Sequence, residues 1–144
     1  MSRLTRREED RRGHPIRFMT LIKSKENTKI GPPPPELLQA IGKLGGEAAQ
    51  AGVLADTAGL LPTSVGARVR LEEGTISTTD GPLAHDQEVL GAYAIFAVAS
   101  KPEAVAWATR FMEIHKQHWK GWEGETEVRK LMEMPSSGAG AACA

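Results

Sequence analysis

Apolar residues recur along this chain at two periods, and the switches between them divide it into elements. Ile16 to Ile22 is a short, β-prone apolar run and predicts the first strand. Four consecutive prolines, Pro32 to Pro35, form a stiff lead-in, the last suited to the first turn of a helix. Leu37, Leu38, Ile41, Leu44 and Ala48 then recur at helical spacing and predict a helix over 35–51. Gly42, Gly45 and Gly46 weaken it by up to about 1 kcal/mol each relative to alanine. Tertiary packing must hold that helix.

Gly52 closes the helix, and Val53 to Leu61 reads as a short strand ending at Pro62. Ala67, Val69 and Leu71 alternate with Arg68 and Arg70, the pattern of a half-buried strand. Glu73-Gly74 turns it into a second short strand, Thr75 to Thr79. Ala92 to Ala99 is apolar on both sides, with Tyr93, Ile95 and Ala97 facing one way and Ala94, Phe96 and Val98 the other. Ser100-Lys101-Pro102-Glu103 has the form of a capping box with proline in the first turn. The helix it opens runs to about Trp119, with Val105, Ala108, Met112, His115 and Trp119 on one stripe. Glu125 to Met132 is the final strand.

The resulting order, β-α-β-β-β-α-β, is that of a ferredoxin-like α+β sandwich with an added hairpin strand. Two helices cover one face of such a sheet, whereas the Ala92–Ala99 strand is apolar on both. A second copy packed sheet to sheet about a two-fold axis is the simplest cover, so the pattern predicts a homodimer.

Composition narrows the class further. The 144 residues suit one domain with its own core, and 18 basic against 18 acidic residues cancel. That balance supplies no long-range attraction for nucleic acid or an anionic membrane. The lone cysteine, Cys143, forms no disulfide within the chain, and no apolar run approaches a membrane span. The N-terminus lacks a signal-peptide core, which makes the cytoplasm the default location. Residues 1–15 hold five arginines and three acids with almost no apolar side chains, and read as a disordered extension. Residues 16–134 form the domain, and the small residues of 135–144 read as a flexible tail.

The chemistry concentrates at Thr79-Asp80-Gly81-Pro82-Leu83, a sharp turn that presents one carboxylate, Asp80, at the end of a strand. Asp80 has two readings, a cap for its own turn or a proton acceptor at the mouth of a cleft. His115 lies on the inward stripe of the second helix, where a neutral imidazole is either a general base or a satisfied histidine at a helix C-terminus. His118 is three residues on, and Trp119 and Trp122 are candidates to wall a pocket for a flat organic ligand. Tyr93 can donate a hydrogen bond into a cleft, and Arg17 can hold a substrate carboxylate. His115 and His118 permit two metal ligands from one helix, with Asp80 or His85 as a third, but no further cluster accompanies them and no metal is expected. No phosphate loop, nucleophile elbow or CxxC pair is present, and no cofactor is expected.

Thr79-Asp80-Gly81-Pro82-Leu83-Ala84 followed by Glu88, Gly91 and Tyr93 resembles the Asp-Gly-Pro-Phe signature of the YCII-related proteins. Ile16-Arg17-Phe18-Met19, Gly52-Val53-Leu54, Gly59-Leu60, Gly66-Ala67-Arg68-Val69 and the stretch from Trp122-Glu123-Gly124 to Glu127-Val128-Arg129 are similar to that family too. The resemblance covers residues 16–134 and implies a ferredoxin-like fold that dimerises into an α/β barrel, similar to muconolactone isomerase. It also implies a His–Asp pair as the active centre, here Asp80 with His115. Leu83 stands for the usual phenylalanine, His85 for glutamate and Gln87 for lysine, so the family's ligand preference does not carry over.

Two functions follow as expectations. One is a small enzyme performing His/Asp proton transfer, isomerisation or elimination, on a small organic metabolite, with Arg17, Tyr93, His118 and Trp119 binding substrate. The other is a non-catalytic dimeric module that binds a small ligand or regulates a partner. It predicts that Asp80 and His115 lie in separate environments.

Overall fold

Strand alternation sets the architecture. In the computed structural model, which describes residues 15–26, 28–83 and 87–133, β1 (Ile16–Lys25) buries Phe18, Thr20 and Ile22 and leaves Met19 and Leu21 half-exposed. β5 (Glu88–Val98) does the same, burying Ala94, Phe96 and Val98. These two strands pair antiparallel at the centre of a four-stranded sheet ordered β2-β5-β1-β6, with β2 (Leu54–Gly59) and β6 (Gly124–Lys130) at its edges. Phe18 stands opposite Phe96 and Thr20 opposite Ala94, so the buried side chains of both strands share one face.

Two helices cover that face. α1 (Pro35–Gln50) buries Leu37, Leu44 and Ala48, while Leu38 stays largely exposed, so the apolar stripe is narrower than the sequence pattern. The helix ends in a Schellman motif: Gly52 N–H donates to Ala49 O, Val53 N–H donates to Ala48 O, and Gly52 takes φ +76°. α2 (Lys101–His118) starts at Ser100, whose Oγ accepts from Glu103 N–H while the Glu103 carboxylate accepts from Ala99 N–H at 2.9 Å. Its buried residues are Ala104, Ala108 and His115. Val105, expected on the inward stripe, is exposed, because the buried face runs one position earlier. An ion pair between Glu47 and Arg110 joins the helices, and Arg110 lies 5.1 Å over the Trp107 ring.

The fold is therefore α+β, as expected, but the order β-α-β-β-β-α-β counts one strand too few: the four segments predicted between the helices all form strands among the described residues. Among the described residues β3 (Ala67–Glu72) and β4 (Thr75–Asp80) pair only with each other, as a separate two-stranded ribbon. The Ala67–Leu71 alternation forms a strand as expected, yet it is exposed throughout rather than half-buried. Alternation reports which side chains share a face, not whether anything covers it. The expected extension 1–15 and tail 135–144 lie outside the described residues, Pro15 excepted, as does His85. No described helix is long and apolar enough to cross a membrane.

Candidate functional site

His115 is placed near the end of α2, where one turn of helix brings its Nδ1 to 2.9 Å from the carbonyl oxygen of Phe111. Three rings enclose it: Trp122 at 4.4 Å between centroids, Phe111 at 4.5 Å and Trp119 at 6.3 Å. Burial lowers the pKa of the imidazole, and the carbonyl of Phe111 opposes that shift only in part. The neutral tautomer that donates from Nδ1 to Phe111 leaves Nε2 as the proton acceptor.

Asp80 lies elsewhere. It ends β4 on the exposed ribbon, paired in register with Ala67. Among the described residues no hydrogen bond joins it to His115, and it is not among the groups that shift the histidine's pKa. The turn after it is fixed by packing: a Cβ on Gly81 would fall 1.6 Å from the backbone oxygen of Thr63. Only glycine fits there.

The other candidates are also separated. Arg17 lies on the outer face of the sheet with one loose ionic contact, 3.9 Å from Glu133. Tyr93 donates from its hydroxyl to Asp56 at 2.9 Å, which raises the phenol's pKa. His118, the last residue of α2, is half-buried. Trp119 caps the helix, its N–H donating to His115 O, and stacks on Trp122 at 6.2 Å. Its indole Nε1 is buried without a hydrogen-bond partner among the described residues. A cleft lined by Met112, Lys116, Trp119 and Trp122 opens beside this stack. The structure thus gathers His115, Trp119 and Trp122, with His118 in the adjoining turn, leaves Asp80 and Arg17 apart, and places Tyr93 in the wall of a separate cavity.

Between the sheet and both helices is a cavity of about 90 Å³, partly open to solvent. Phe96, Trp107, Phe111, Ile22 and Leu44 supply much of its wall, and no charged side chain lines it. Its three threonines have already committed their hydroxyl protons: Thr20 to Ala94 O, Thr57 to Tyr93 O and Thr126 to Met112 Sδ. Gly45 lines it from α1, and a Cβ at that position would meet no atom within 4 Å. The missing side chain leaves this space open.

Sequence reasoning treated Gly45 only as a weak point of the helix and missed Trp107 and Phe111. A signal for the aromatic pair was present: Trp107, Phe111, His115 and Trp119 recur every four residues, a spacing that stacks side chains along one helix face. Among the described residues no group of three His, Cys, Asp or Glu side chains is placed to hold a metal ion. No family model matches the chain, and no curated protein matches it.

Proposed function

We propose that the chain is a YCII-related, homodimeric module that binds a small, uncharged, largely apolar molecule between its sheet and helices, in a cytoplasmic setting. The observation that carries this reading is the apolar cavity at Gly45. A pocket without charges, whose threonine hydroxyls are all committed, selects by shape and burial, and a volume of about 90 Å³ limits the guest to a small one. The separate environments of Asp80 and His115 support a binding role over catalysis by that pair. Arg17 lies across the sheet from the cavity, which argues against a carboxylated ligand there.

The test is ligand-observed NMR of an uncharged fragment set against the wild type and Gly45→Leu, a change that puts a side chain into the empty space. Binding in the wild type that disappears in a folded Gly45→Leu protein is the expected result. Binding indifferent to Gly45→Leu, or restricted to charged fragments, rejects the site.

A second reading, the proton-transfer enzyme, draws on the neutral imidazole of His115 with Nε2 free to accept. It requires an Asp80 carboxylate brought to the histidine by another copy. An NMR titration of the histidine rings in the wild type and in Asp80→Asn separates the two readings. A response of the His115 ring to the mutation favours the enzyme, and none favours the binding module.

A further inference from the structure

We infer that the β3–β4 ribbon is an arm that lies on the outer sheet face of a second copy of this chain, exchanged reciprocally about a two-fold axis. The inference rests on the homodimer of the preceding reading and adds where its contact is made. All twelve residues of the two strands are exposed. Register puts Ala67, Val69 and Leu71 on the same ribbon face as Asp80, Thr78 and Ile76. Val69, Leu71 and Ile76 retain 69%, 70% and 69% of their surface, so this face is apolar and bare. Leu61 and Val65, shortly before β3 in the chain, are exposed as well, at 79% and 71%. Contiguous exposed apolar surface of this kind marks a contact, and a two-stranded ribbon is marginal in water without one.

The chain itself displays the complement. Opposite the helices, the central strands present Met19 and Leu21 from β1 and Ile95 from β5, half-buried and uncovered by any described element. The ribbon does not fold onto this surface of its own copy, or its apolar side chains would not remain exposed. A two-fold partner covers both surfaces at once, because each copy offers one arm and one sheet face. Charge agrees with the placement. Asp80 is the carboxylate on the apolar face of the arm, and Arg17 shares the outer face of β1 with Met19 and Leu21. Among the described residues the Arg17 side chain has only its loose contact with Glu133, which leaves it available to an incoming carboxylate. Asp80 is thus an intersubunit ion-pair partner.

Sedimentation equilibrium of the full chain tests the arm. The wild type is expected to be a dimer, and Leu71→Glu/Ile76→Lys a folded monomer, since both side chains are exposed within one copy and their replacement leaves its core intact. Asp80→Arg is expected to weaken the dimer at least tenfold, and adding Arg17→Asp to restore it. A dimer that survives Leu71→Glu/Ile76→Lys, or an Asp80→Arg defect that Arg17→Asp does not relieve, overturns the arm while leaving the homodimer standing. A monomeric wild type overturns both.

Discussion

Glu26 holds Thr63 with both carboxylate oxygens, one accepting from the backbone N–H at 2.6 Å and the other from the side-chain hydroxyl at 2.6 Å. Thr63 Oγ1 in turn accepts from Leu83 N–H at 3.1 Å, just after the Gly81-Pro82 turn. Gly81 N–H closes the base by donating to Gly66 O at 2.8 Å. The end of β1 thereby fixes both ends of the β3–β4 ribbon through one threonine.

Glu26→Ala is therefore expected to destabilise the fold by about 2 kcal/mol, the range for hydrogen bonds to a charged group. The loss should appear in the urea midpoint and as faster amide exchange at Gly81 and Leu83. Glu26→Gln keeps the same reach and should recover part of it.

Gly81→Ala is expected to be worse, because the added methyl would meet backbone rather than a mobile side chain. Overpacking of this kind costs about 1–3 kcal/mol or more. A chemical melt of the variant, beside Gly66→Ala as a control with its nearest contact at 3.6 Å, measures the difference.

Gly45→Ala should raise stability by about 1 kcal/mol, since alanine is the better helix former and its Cβ meets open space. The thermal midpoint reads that gain. Alanine fills little of the cavity, so fragment binding is expected to weaken modestly, whereas Gly45→Leu removes it.

The pH dependence carries the sign of His115. In the unfolded chain its imidazole titrates near 6.5, and in the folded protein burial disfavours the charged form and lowers the pKa. Between the two values the unfolded state binds more protons. The histidine's contribution to stability is therefore whole above 6.5 and is lost as pH falls below it. Denaturation of the wild type and His115→Leu across that window should show the wild type losing stability relative to the variant as pH falls.

The helices and the buried strands were legible because their signals are local. Ser100 and Glu103 announce a helix start, Gly52 an end, and the two apolar sides of Ala92–Ala99 are present in the sequence itself. The ribbon was half legible. Arg68 and Arg70 between apolar neighbours show a strand, but an alternating strand reads the same whether or not a partner covers it. His115 was found from its period along α2, and Trp122 as its nearest ring was not, since the loop that returns it lies beyond the helix. Gly45 was read as a propensity penalty because a cavity belongs to no single element. It exists only where a helix, a second helix and a sheet leave a space between them.

The three glycines of α1 have a mechanical consequence. A helix carrying Gly42, Gly45 and Gly46 within two turns has the least intrinsic reason to stay wound, and its hold on the sheet comes from Leu37, Leu44 and Ala48. α2, free of glycine and boxed at its start, is the stiffer wall. Brief unwinding of α1 is then the cheapest way to widen the partly open mouth of the cavity, so the residue that creates the room for a guest also sets how readily a bulkier guest can come and go.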